Sequence, residues 1–318
     1  MGSSLGLPGR LVNKTPGKGT SMADTLNQAG LDTSSGGPGD KPAEKHHRKR
    51  WLIPLVAFVV LLVVGGVFFL LLELRKPGPA SVGDAEKEVE QASAADSGDS
   101  GSSALRPAEG VYVYQGEGSE SINVPPLSQD DGSEMPAEVI HHGSDCWTFK
   151  LEYNSAHWEE DLNCVENGQL VQKKSTTFQQ WDIVTEKLTN TTNFTCESAV
   201  LVDPSASEGE SFDQDCVGTN SDVEGETHTD GPSTFVGKET VRIDGKDVEA
   251  YHFKQHQQIS GSGQEGRQEF EMWYAVDTAL PLKQTRKITL VTPSPIGKIT
   301  YTEEGHWEVS SLTPEHSG

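Results

Sequence analysis

The sequence predicts a mainly β extracytoplasmic domain carried on one transmembrane helix, and three observations predict it. Trp51 to Leu72 (WLIPLVAFVVLLVVGGVFFLLL) holds no charged residue over 22 positions, which at the helical rise spans about 33 Å, enough for a bilayer core. From Gly110 onward, short alternating apolar and polar runs are separated by turn residues, the signature of strands. Four cysteines, Cys146, Cys164, Cys196 and Cys216, all fall on that same side of the apolar segment.

Residues 1–50 are rich in Gly, Ser, Pro and Thr and lack apolar periodicity, so they cannot bury enough surface to offset ordering entropy and form a disordered tail. They carry 8 Lys and Arg against 4 Asp and Glu, leaving 17 against 44 for the rest of the chain. Lys41, Lys45, Arg48, Lys49 and Arg50 crowd the N-terminal flank of the span, and such an excess marks the cytoplasmic end. The expected arrangement is a single-pass cell-membrane protein with its N-terminus cytoplasmic and its C-terminal domain extracytoplasmic. A cleaved signal peptide fits less well, because its apolar region is shorter and follows a short n-region. Translation from Met1 or from Met22 is equally compatible with the sequence. His46 and His47 sit in a solvated basic cluster.

The anchor occupies 51–74 and contacts the lipid bilayer. Residues 75–109, small, acidic and rich in Ser, Gly and Ala, have the composition of a flexible linker, with Ala85 to Ala95 able to form a short helix. The domain proper is 110–315. Its strong net acidity argues against a nucleic-acid partner.

Within the domain, Trp147, Phe149, Leu151 and Tyr153 share one face of a strand, and Cys146, Thr148, Lys150 and Glu152 the other, as in a half-buried antiparallel strand. Asp244-Gly245 between two β-rich runs signals a type I′ hairpin. That register places Val241 opposite Val248 and Arg242 opposite Asp247. Further strands are expected at VYVYQ, SESIN, AEVIH, GQLVQ, FTCES, QEFEMWY, LKQTRKITLV, KITYT and HWEVS, giving a half-barrel or sandwich. The cysteines read as two disulfides in an oxidising compartment; three connectivities are possible, of which Cys146 with Cys164 and Cys196 with Cys216 is favoured because each closes a short loop. Asn190 and Asn193 head glycosylation sequons, whose use depends on the host.

Enzyme and metal motifs do not carry through. Gly261 to Gly266 matches G-x-G-x-x-G, but a strand follows it where a dinucleotide site needs a helix. His252 and His256 lie about 13 Å apart on a strand, too far to share an ion. His157, Glu159 and Asp161 alternate into one polar face, and Asn220 to Gly225 only begins a calcium loop. No catalytic residue, metal ligand or cofactor is assigned.

FVGKETVRIDGKDVEAYHF (235–253), MWYAVDTALPLKQTRK (272–287) and KITYTEEGHWEVSSLTP (298–314) resemble the closing strands of LolA-like lipoprotein carriers, with Leu280-Pro281-Leu282 in the place of that family's turn. The resemblance covers about 80 residues and implies a strongly curved antiparallel sheet around an apolar cavity. The tail, anchor and acidic outer domain together also resemble single-pass envelope proteins of high-GC Gram-positive bacteria. Two non-enzymatic functions follow as expectations. One is a binding protein for a lipid or other hydrophobic ligand lined by Trp147, Phe149, Tyr251, Phe253 and Trp273. The other is an envelope protein-interaction or sensory domain with a filled core.

Overall fold

The protein is described from a computed structural model, over residues 76–95, 104–182, 187–294 and 297–315. The tail at 1–50 and the span at 51–74 lie outside the described residues. Among those described, no helix is long and apolar enough to cross a membrane.

One helix, α1 (Val82–Ala95), precedes the strands β1 (Gly110–Asn123), β2 (Pro126–Asp130), β3 (Glu134–His142), β4 (Cys146–Asn154), β5 (His157–Glu166), β6 (Gln169–Asp182), β7 (Lys187–Ser198), β8 (Val200–Val202), β9 (Ser211–Asn220), β10 (Glu226–Ile243), β11 (Lys246–Gly261), β12 (Gln264–Ala275), β13 (Pro281–Ser294) and β14 (Gly297–Val309). Neighbouring strands pair antiparallel, and β1 closes on β14 from Tyr114↔Val309 to Ile122↔Tyr301. The result is a closed barrel of 12 strands, with β2 and β8 as side pairings on β1 and β6. This corrects the expected half-barrel or sandwich. Closure pairs the first strand with the last, so no long sheet edge is left to cover.

Local chemistry explains the hairpins. Asp244 and Gly245 have φ of 47° and 72°, as a type I′ turn requires. The register that follows pairs Val241 with Val248 and Arg242 with Asp247. The G-x-G-x-x-G stretch spans another tight turn, Ser262-Gly263, between β11 and β12. Both disulfides join residues directly opposite on paired strands, Cys146 to Cys164 and Cys196 to Cys216.

Part of the segment read as a flexible linker is helical and docked. Ala85 and Val89, one turn apart on α1, bury against Val111 of β1, with Val82 and Ile140 beside them. Lys150 on β4 reinforces the contact, its Nζ 2.6 Å from Glu88, 3.0 Å from Glu138 and 2.9 Å from Glu152. Its ammonium occupies the centre of that carboxylate cluster. Burial, opposed by Lys150, pushes Glu138 up to about 7.

The barrel interior is the core. Twelve strands enclose more space than the eight that side chains just fill, and here large side chains occupy it. Trp147, Phe149, Leu151 and Tyr153 point inward together, as their alternation predicts, and pack with Tyr112, Tyr114, Met135, Leu170, Phe253, Leu282 and Trp307. Val241 and Val248, half-buried, join the same cluster as Tyr251 and Phe253. Where β1 and β14 pair, glycines make room. A Cβ on Gly305 would meet the Trp307 ring at 2.6 Å, and one on Gly118 would collide with the Asp131 carboxylate.

Candidate functional site: a polar lumen and an outer groove

Along the barrel axis the apolar layer gives way to charge. Arg286 on β13 points inward with only 5 % of its side chain exposed. It ion-pairs with Glu159 on β5, donates to the Tyr153 hydroxyl at 2.7 Å and lies 2.9 Å from Glu303 on β14. Its guanidinium also stacks over the Tyr153 and Phe270 rings, at 5.5 and 5.4 Å. His157, 1 % exposed, brings Nδ1 within 3.3 Å of Glu120.

The alternation of His157, Glu159 and Asp161 therefore does form one inward polar face, completed by residues from strands far away in sequence. Electrostatics divides its groups. Burial would raise Glu159, but the Arg286 charge and hydrogen bond, with His157 and Tyr153, together outweigh it and hold the carboxyl below its ordinary value. Burial would lower His157, but Glu120 outweighs it and raises the imidazole to about 8. Asp161 has no such cation of its own. Burial and the adjacent Glu159 push it up to about 8. Burial likewise pushes Asp131 up to about 6.

Glu120, His157 and Glu303 are close enough together to surround a cation. Protein donors already take their oxygens. Gln129 donates to Glu120 Oε1 and Gln179 to its Oε2, the Tyr301 hydroxyl lies 2.8 Å from Glu120 Oε2 and 2.6 Å from Glu303 Oε2 with one proton to give to either, and Arg286 flanks Glu303 Oε1. An ion there would have to displace these bonds, so the group reads as a structural network.

Between the apolar and charged layers lies a cavity of about 130 Å³. Trp147 and Phe149 line it, as does the Cys196–Cys216 bridge, but so do Asp161, Asn163, Gln172, Gln255, Gln257 and Gln268. Gln268 donates to Gln257, which donates to Gln214 at 2.5 Å, an amide chain across β12, β11 and β9.

The other expected lining residues are elsewhere. Tyr251 and Phe253 are sealed in the apolar layer against Phe235, with ring centroids at 6.1 and 5.1 Å. Trp273 faces out of the barrel. It stacks on His252 at 4.2 Å, donates to Glu239 at 2.9 Å and lies beneath Lys283 at 4.9 Å. The five residues proposed as one lining all belong to the buried core cluster; only Trp147 and Phe149 also border the cavity, and Trp273 is buried on the outer face of β12.

The outer wall carries the larger concavity, a groove of about 1040 Å³ over β1, β11, β12, β13 and β14, rimmed by Asp130 and Asp131. Two cross-strand rows alternate in charge. His256, Glu269, Lys287, Glu304 and Ser119 make one, and Lys254, Glu271, Thr285, His306 and Glu117 the other. Lys254 pairs with Glu271 at 2.9 Å and Lys287 with Glu304 at 3.8 Å. His252 and His256 share this outer face of β11, but only His256 is exposed; His252 is 5 % exposed, covered by Trp273 and Glu239. Phe270 and Arg286 line both the groove and the lumen cavity.

Sequence reasoning did not single out Glu120, Arg286 or Glu303. The available signal was KQHQQ at 254–258, polar on both faces of a strand, which fits a wall between solvent and a polar interior.

No protein-family model and no curated protein matches the chain. Among solved structures it is similar to the hypothetical lipoprotein YmcC from Escherichia coli (K12), at 11% sequence identity and a TM-score of 0.30, covering 69% of this chain and 95% of that one.

Proposed function

We propose that the chain is a membrane-anchored, extracytoplasmic, non-enzymatic binding protein whose closed barrel engages an envelope protein through its outer wall. The filled lumen carries this reading. Pockets for small-molecule ligands run to roughly 300–1,000 Å³, whereas the lumen cavity is about 130 Å³, and amides and carboxylates share its lining with apolar side chains. A hydrophobic ligand held inside has the rings of Trp147, Phe149 and Phe270 in its favour, but not the room. The outer groove has the room. Its alternating rows would favour a partner with a matching pattern of charge, which steers encounter and fixes register more than it adds affinity. The anchor at 51–74 would hold the barrel at the membrane surface.

Site-specific photo-crosslinking of the full chain in intact envelopes tests this. A crosslinker at Thr285, in the centre of the groove, is expected to capture a discrete protein, and capture should disappear with Glu269→Lys and Glu271→Lys together. Capture that is insensitive to charge reversal, or absent, would overturn the reading.

A further inference from the structure

The lumen cavity contains hydrogen-bonding groups that the protein itself leaves unmet. Asp161 Oδ1 and Asn163 Oδ1 on β5, Gln255 Nε2 on β11 and Trp147 Nε1 on β4 have no hydrogen-bond partner among the described residues. All four residues line the same cavity. Asn163, Gln255 and Trp147 are only 3, 5 and 0 % exposed, and buried polar groups left unpaired are unfavourable.

The arrangement is polarised. Two acceptors, one of them a carboxylate, sit two residues apart on the inward face of β5, and two donors come from other strands. Arg286 is already committed to Glu159, Glu303 and Tyr153, so the Asp161 carboxylate has no cation of its own. An ammonium group is donor-only, with three N–H bonds to give, and it is attracted to aromatic faces such as those of Phe149 and Phe270, which also line the space. The donors of Gln255 and Trp147 call for an oxygen at the opposite end of the same molecule. With about 30 Å³ taken by each water in the liquid, a volume of about 130 Å³ suits a solute equal to about four waters.

We propose that the lumen binds a small primary amine bearing an oxygen acceptor, an amino alcohol or amino acid, with its ammonium at Asp161 and Asn163 and its oxygen toward Gln255 and Trp147. The raised Asp161 carboxyl agrees with this, since a bound ammonium would let it ionise. The site is distinct from the outer groove and stands whether or not that surface has a partner.

The test titrates the full chain in detergent with ethanolamine, following saturation-transfer NMR and melting temperature at constant ionic strength. Ethylene glycol, similar in size but uncharged, is the control. Ethanolamine is expected to bind saturably and raise the melting temperature, with ethylene glycol at least tenfold weaker. Asp161→Asn, which keeps the side-chain shape, should weaken ethanolamine at least tenfold, and Gln255→Leu severalfold. Absence of saturable ethanolamine binding, equal binding of ethylene glycol, or binding unchanged in both variants would overturn the proposal.

Discussion

Replacing Arg286 with methionine should destabilise the barrel more than almost any other single change. The side chain is 5 % exposed and contacts Glu159, Glu303 and Tyr153, so its removal leaves two carboxylates in the lumen without their cation. Breaking a buried pair by deleting one partner costs about 3–5 kcal/mol. At about 2–4 °C per kcal/mol for a domain of this size, the melting temperature should fall by roughly 6–20 °C. The pH dependence identifies the cause. In the wild type, Glu159 is held below its ordinary value, so its stabilisation is present above the unfolded carboxyl range and lost as pH falls through the folded value. In Arg286→Met that stabilisation is gone, and the carboxyl rises and protonates in the native state. The gap between the two proteins should therefore be small near pH 4 and widen toward pH 7. Thermal melts of the full chain from pH 4 to 8 measure it. A fall of under about 2 °C at pH 7, or a gap that does not change with pH, would refute the argument that Arg286 neutralises the lumen.

Three further perturbations follow from the same structure. Cys196→Ala with Cys216→Ala removes a bridge between residues 20 apart and should cost about 3 kcal/mol by the chain-entropy model, and the purified native protein should contain no free thiol by Ellman titration. Asp161→Asn removes a carboxyl whose folded value, about 8, exceeds its unfolded value. The wild type therefore loses stability as pH rises from about 4 to 8, and the variant should match it at pH 4, melt higher at pH 8 and show no gain if the carboxyl is not buried against Glu159. Val89→Asp puts a charge where α1 meets Val111. Hydrogen exchange across 82–95 should rise while the barrel strands stay protected, and unchanged protection of α1 would contradict its docking through Val89.

The parts of the fold legible in the sequence are those in which one face of a strand is apolar. Trp147, Phe149, Leu151 and Tyr153 alternate cleanly because β4 crosses the apolar layer with solvent or α1 on its other side. The Asp244-Gly245 register was readable because the turn itself fixes φ. The disulfides followed from local spacing, since each spans neighbouring strands. Strands β6, β7, β9 and the first half of β10 were harder, because their inward residues include Gln172, Ser175, Thr177, Gln179, Gln214 and Thr229, polar groups that erase the alternation a strand normally shows. VYVYQ with SESIN, and KITYT with HWEVS, proved to be single strands, β1 and β14, that continue through the glycines at 116, 118 and 305. Closure rests on pairs such as Tyr114 with Val309, for which no local signal exists. The candidate site was half visible. His157, Glu159 and Asp161 could be placed on one face, but Glu120, Arg286 and Glu303 arrive there only through the topology. The expectation that large residues on both faces of β11 and β12 imply an apolar cavity failed on packing. Val241 and Val248 join the same core as Tyr251 and Phe253, and Trp273 is capped outside by His252, Glu239 and Lys283.

Native mass spectrometry of the full chain, expressed in its own host and released from detergent, most directly tests whether the barrel is a filled scaffold with a polar lumen. The account predicts the mass of the polypeptide with two disulfides and its host modifications, no stoichiometric lipid or fatty acid in the solvent extract, and no saturable response to a fluorescent fatty acid in either the wild type or Trp273→Ala. An acyl-chain ligand retained at one copy per chain and lost on bulky substitution at the lumen wall, as in Phe149→Trp, would contradict it.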